Sequence, residues 1–120
     1  MSKNKLTELA YRVTQLRETE PPFSQHGFDG SKGIYKCVCC ESPLFNSKTK
    51  YESGSGWPSF YEPHKNYSIE TASDNSHGMI RTEVHCKDCG AHLGHVFEDG
   101  PLPSGLRYCI NGVALSFEKS

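Results

Sequence analysis

The sequence predicts a single, mainly β domain braced by a structural zinc ion, and three observations lead there. From residue 34 onward, short segments of strand character (34–38, 68–71, 79–84, 92–97, 106–110 and 113–117) alternate with glycine and polar clusters. Eleven glycines, seven prolines, a hydrophobic share of 35% and a mean hydropathy of −0.61 leave little room for long helices or continuous apolar strands. A domain of 120 residues buries somewhat under about 70% of the surface its unfolded chain exposes, so its core is modest and some other brace is expected. Two CxxC pairs, Cys37 with Cys40 and Cys86 with Cys89, offer one. Residues 1–120 read as one domain, with 1–33 a helical and turn-rich N-terminal strap.

Leu6, Leu9, Val13 and Leu16 recur at helical spacing behind Thr7 as N-cap, with Glu8 in the first turn. This opening helix should end by Glu20-Pro21-Pro22. Residues 23–33 carry Ser24, Gly27, Asp29, Gly30 and Gly33 and read as a turn-rich strap over the domain surface. The first CxxC follows the 34–38 segment. In the second, CKDCGAHL at 86–93 repeats the pattern of CVCCESPL at 37–44, both being C-x-x-C-x-x-x-L.

Four thiolates on two tight turns suit one tetrahedral ion. With four sulfurs filling the shell, no position stays open for water or substrate, so the zinc would be structural. Redox dithiols and packed thiols are the competing uses of the same residues. Cys39 could in principle replace a neighbour as ligand. The matched spacing of Cys37–Cys40 and Cys86–Cys89, and the poor chelation by adjacent cysteines, make it a spectator. Six cysteines are present, and this assignment leaves Cys109.

In 106–110 and Asn111, alternation puts Leu106, Tyr108 and Ile110 on one face and Arg107, Cys109 and Asn111 on the other. A thiol between a guanidinium and an amide suits chemistry, since the cation would favour the thiolate. The strand by itself equally allows a half-buried spectator cysteine beside a surface arginine. Val113, Leu115 and Phe117 fall out of phase with Ile110, which suggests a bulge at Gly112. His92 and His95 flank Gly94 and would point to opposite faces of a regular strand, so both serve one site only if the strand is distorted there. Trp57 sits in a glycine-rich, proline-stiffened loop, an odd place for a core tryptophan.

Thirteen basic against fourteen acidic residues and a pI near 6.6 supply no basic face for nucleic acid. The N-terminus lacks the apolar core of a secretory signal, and no run is long enough to cross a bilayer. A cytoplasmic monomer, with neither nucleic acid nor membrane as partner, is expected, and a reducing compartment favours metal or reactive thiols over disulfides.

Several ordered blocks together resemble the B-type methionine sulfoxide reductases, over about Leu6 to Phe117: YRVTQ at 11–15, TEPPF at 19–23, SGSGWPSF at 53–60, HGMIRTE at 77–83, HLGHVF at 92–97 and GLRYCIN at 105–111. The resemblance implies two small antiparallel sheets with short peripheral N-terminal helices, and zinc on Cys37, Cys40, Cys86 and Cys89 away from the active site. It also implies a thioredoxin-linked reductase, or one served by another thiol, acting on (R)-methionine sulfoxide free or in proteins. One enzyme type serves each sulfoxide epimer. By matching position Cys109 is the nucleophile, with His92, His95 and Asn111 around the sulfoxide oxygen and thiolate. Trp57 and Phe97 become the methyl pocket, and Arg107 and His77 join them as substrate-binding candidates. Many relatives carry a second, resolving cysteine where this sequence has Ser55. A zinc-ribbon interaction module without catalysis, which calls for no reactive thiol and no such arrangement around Cys109, is the competing reading, and a zinc-stabilised thiol peroxidase is a third.

Overall fold

A computed structural model describes residues 6–24, 28, 30–63, 69–75, 78, 80–102 and 104–119. Among them one helix, α1 (Glu8–Leu16), precedes nine strands: β1 (Gly33–Cys37), β2 (Pro43–Asn46), β3 (Lys50–Tyr51), β4 (Ser59–Phe60), β5 (Ile69–Asp74), β6 (Arg81–Cys86), β7 (His92–Phe97), β8 (Arg107–Ile110) and β9 (Leu115–Lys119). They form two antiparallel sheets, one in the order β2-β1-β9 and one in the order β3-β4-β8-β7-β6-β5. The mainly β, two-sheet expectation is met.

Helix α1 begins as its sequence dictates. The Ala10 N–H donates to Thr7 Oγ1 at 3.1 Å, and Ala10 and Val13 are buried. It stops before the prolines that were expected to end it. Arg17 takes the left-handed conformation (φ 63°), and the Glu18 N–H closes back onto the Arg12 carbonyl at 3.1 Å. Residues 18–22 are thereby released from the helix to run across the site described below. No helix among the described residues is long and apolar enough to cross a membrane.

An aromatic cluster joins the sheets. Tyr35 and Phe45 come from the three-stranded sheet, Phe60 and Tyr108 from the six-stranded one, and Phe45 stacks on Phe60 with ring centroids 4.3 Å apart. Periodicity could not reveal β3 and β4, which are two residues each, and β2 buries the adjacent pair Leu44–Phe45, which breaks alternation. Nor is there a bulge at Gly112. The chain makes a 3-10 turn over Gly112–Ala114 and passes from β8 in one sheet to β9 in the other, so the change of phase is a change of sheet.

Candidate functional site

Strand register builds one chemical face on the six-stranded sheet. Cys109 lies opposite Ser59 on β4 and opposite His95 on β7, and His95 in turn lies opposite Glu83 on β6. Directly opposed residues share a face, and so do residues two apart. Arg107 and Phe97, themselves paired, and Arg81, paired with Asp74, therefore join that face. Gly94 lets β7 and β8 approach: a Cβ there would lie 2.0 Å from the Cys109 carbonyl oxygen.

His92 and His95 do serve the same face. The β6–β7 register shifts between Val84 and His85, so His95 opposes Glu83 while His92 opposes His85. That irregularity, next to the expected distortion at Gly94, brings the two rings to 5.5 Å between centroids. Each imidazole is held by its own carboxylate: His95 Nε2 is 2.7 Å from Asp74 Oδ2, and His92 Nδ1 is 2.8 Å from Glu83 Oε2. Arg17, positioned by its left-handed cap, reaches Glu83 at 2.9 Å, and Arg81 stands 3.6 Å from Asp74. His92 is almost fully buried and its Nε2 has no hydrogen-bond partner among the described residues. Burial holds its pKa below the ordinary histidine value, against the opposing pull of Glu83.

A cavity of about 90 Å³ opens on this face, lined by Thr19, Trp57, Arg81, Gly94, His95, Phe97, Cys109 and Asn111. Five residues of the sequence-derived set thus meet around one space: Cys109, His95, Asn111, Trp57 and Phe97. His92 stands behind His95, and Arg107, though on the same face, is not part of the cavity lining. The Arg107 guanidinium lies 4.5 Å over the Phe97 ring and forks onto Asp99 at 2.9 and 3.1 Å. His77 lies outside the described residues.

The strap holds the cavity walls. Trp57 Nε1–H donates to the Glu20 carbonyl at 3.0 Å, and the Glu20 N–H donates to Asn111 Oδ1 at 3.0 Å. Asn111 Nδ2 donates to the Leu93 carbonyl at 2.9 Å, so both ends of its carboxamide are already fixed. The Glu20 carboxylate, 1% exposed, accepts from the Gly112 and Val113 N–H groups at 2.8 and 3.0 Å. Thr19, Glu20, Arg17, Asp74, Arg81 and Glu83 were not singled out by the sequence. TEPPF and HGMIRTE contain four of them, but nothing local marks Asp74 or Arg17.

The environment of Cys109 corrects one sequence expectation. Burial pushes its thiol above the ordinary cysteine value, outweighing the Ser55 hydroxyl and the Arg107 guanidinium, which both pull it down. Arg107 acts in the expected direction, but its charge is engaged by Asp99, and burial wins.

The four remaining matched thiols cluster on two equivalent turns. In each the N–H after the second cysteine returns to the first cysteine's carbonyl at 2.8 Å, from Glu41 to Cys37 and from Gly90 to Cys86. Glu41 and Gly90 both adopt positive φ, 65° and 78°. The Sγ atoms of Cys37, Cys40, Cys86 and Cys89 all lie within 4.8 Å of one another, and Cys37–Cys89 and Cys40–Cys86 are each 3.6 Å apart. Tetrahedral coordination with metal–sulfur bonds of about 2.3 Å requires sulfurs about 3.8 Å apart, so the arrangement fits a structural metal ion. Cys39 points away from it, its Sγ 3.4 Å from Gln15 Nε2 on α1.

Comparison with known proteins agrees with this architecture. Residues 6–119 match the SelR domain family. The chain is 53% identical over 117 residues to a protein of Thioalkalivibrio sulfidiphilus (strain HL-EbGR7) named peptide methionine sulfoxide reductase MsrB, covering 97% of this chain and 85% of that one. It is 56% identical over 109 residues to the protein of the same name from Pseudomonas entomophila (strain L48), covering 90% and 83%.

Proposed function

The chain belongs to the SelR-domain family of B-type methionine sulfoxide reductases, and from that premise we propose that Cys109 is the nucleophile reducing (R)-methionine sulfoxide, free or in proteins, to methionine. One observation carries the assignment of roles: Cys109 opposes His95 across the β7–β8 ladder at a cavity walled by Trp57 and Phe97. A sulfoxide bearing a methyl group needs an apolar wall on one side and a proton source on the other. Cys109 Sγ attacks the electrophilic sulfur, the sulfoxide oxygen takes up protons and passes to Sγ, and methionine leaves. Cys109 becomes a sulfenic acid, which two reductant thiols return to the thiol with release of water and a disulfide.

Asp74 beside Nε2 leaves His95 Nδ1 as the atom that passes a proton to the oxygen. Glu83 orients His92 behind it in the same way. Asn111, fixed by Leu93 and Glu20, positions the end of β8. Arg107 backs Phe97 and lowers the thiol pKa, and His77 remains a substrate-binding candidate.

The metal we assign is one structural zinc ion, supported by four sulfur donors at tetrahedral spacing and no open position. Residues 1–120 act as one unit with 1–33 as its strap, supported by the family match over 6–119 and by the Glu20 contacts. The protein works as a cytoplasmic monomer with thioredoxin or another thiol as reductant, in keeping with its thiol chemistry and its net charge of −1.

The test is turnover of each methionine sulfoxide epimer with dithiothreitol. The R epimer should be reduced, the S epimer should not, and Cys109→Ser should be inactive. Equal turnover of both epimers, or an active Cys109→Ser, would overturn the reading.

A further inference from the structure

The cavity of about 90 Å³ beside Cys109 is small for a whole substrate, since pockets that enclose a small molecule run to about 300–1,000 Å³. It takes the methyl sulfoxide end of a methionine and leaves the main chain outside. A second cavity of about 480 Å³ adjoins it, and Thr19, Arg81 and His95 belong to the walls of both. Arg81 is the group at this junction with donors to spare. Its guanidinium stands 3.6 Å from Asp74, too far for a hydrogen bond, and its buried Nε has no partner among the described residues. Arg17 lines the same second cavity, 2.9 Å from Glu83 and 4.0 Å from Asp74. Both carboxylates are buried, whereas Arg17 is exposed and Arg81 half-buried. The charge presented outward by the described residues is therefore the guanidiniums'.

We propose that the second cavity is a carboxylate subsite: Arg81, with Arg17 beside it, binds a carboxylate that the substrate carries next to its oxidised methionine. The inference rests on the placement of the sulfoxide at Cys109 proposed above. Two sources supply that chemistry, the α-carboxylate of a free or C-terminal methionine sulfoxide and the side chain of an adjoining Asp or Glu. A planar guanidinium with unspent N–H donors is matched to either. The contact lies away from the reacting sulfur and is made alike before and during the reaction, so it lowers KM and leaves kcat unchanged. The subsite thereby sets which oxidised methionines are held most tightly.

The test compares acid-bearing R sulfoxides with neutral counterparts, each reduced by the full-length protein with dithiothreitol at low salt. N-acetylmethionine sulfoxide against its N-methylamide reads the α-carboxylate. Blocked dipeptides with Glu or Gln on either side of the sulfoxide read an acidic neighbour. In at least one pair the acid should lower KM about five-fold, the upper range of an exposed ion pair, and salt at about 0.5 M should erase the gain. Arg81→Gln should remove that gain and Arg81→Lys keep part of it. Arg107→Gln, an equal change of net charge on a residue outside both walls, should leave it intact. A gain in the first pair identifies the α-carboxylate as the ligand, and one in the dipeptides an acidic neighbour. No gain in any pair, or a gain that Arg81→Gln leaves in place or Arg107→Gln removes, would refute the inference alone. Should Arg81→Gln fail to fold, the wild-type pairs and Arg81→Lys still decide it. Neutral amides left unreduced by the wild type would instead refute the functional reading.

Discussion

Replacing Glu20 should damage this protein more than any other single change on the strap. Its carboxylate is the acceptor for two N–H groups of the turn that follows β8, at 2.8 and 3.0 Å, in a setting where the residue is 1% exposed. Glu20→Ala leaves both donors without that acceptor. A buried donor left unsatisfied costs about 1–3 kcal/mol, so the pair amounts to about 2–6 kcal/mol, and water entering the vacated space favours the lower half of that range. An expected loss of about 3 kcal/mol corresponds to a melting temperature lower by about 12 °C in a domain of this size. Glu20→Gln keeps one acceptor and turns an amide donor toward the other N–H, so it should lose about half as much. Because the backbone of the same residue holds Trp57 and Asn111, KM for the R sulfoxide should rise before global stability fails. Trp57, the sole tryptophan, reports both: denaturant and thermal melts followed by its fluorescence give stability, and substrate titration gives binding. The exposed pair Glu8–Arg12 supplies the control, since Glu8→Ala should cost under about 0.5 kcal/mol. A Glu20→Ala protein as stable as that control would refute the reasoning.

Three further outcomes are expected. Freshly purified, reduced protein should hold about one equivalent of zinc by elemental analysis, and Cys86→Ser or chelation should loosen or unfold it, because metal binding of this kind is coupled to folding by about 10–16 kcal/mol in apparent terms; less than about half an equivalent would remove the zinc assignment. Trp57→Ala should chiefly raise KM and His95→Gln chiefly lower kcat, a split that steady-state kinetics resolves, and full activity of both variants would show the site is elsewhere. Burial raises the Cys109 thiol pKa, so its neutral form is favoured at pH 7. Its alkylation by iodoacetamide should speed up as pH rises, with a midpoint above that of a free cysteine thiol titrated alongside, and Arg107→Ala should move that midpoint higher still; a midpoint below that of the free thiol would contradict the burial argument.

Much of the fold was legible because its signals are local. Thr7 caps α1 within one turn, and the repeated C-x-x-C-x-x-x-L is one supersecondary turn made twice. Alternation in 106–110 placed Cys109 opposite the core face, and the short segments 79–84 and 92–97, set between glycine and polar clusters, marked β6 and β7. Strands β3 and β4 are too short to have a period, and they exist because β8 offers them an edge to pair with.

By itself the sequence determined the chemistry available: four matched thiols for a metal, one thiol left over, two histidines beside Gly94, and a tryptophan in a stiff loop. Only the tertiary structure decided how those groups act. It placed His92 and His95 on one face through a register shift, and it paired each with a carboxylate from β5 or β6. It brought Glu20 onto Gly112, 92 positions away, and it let burial outweigh Arg107 at the Cys109 thiol. The physical reason is the same in each case. Spacing and periodicity are properties of neighbouring residues, whereas hydrogen-bond partners and desolvation depend on which distant strands the sheet and its core bring together.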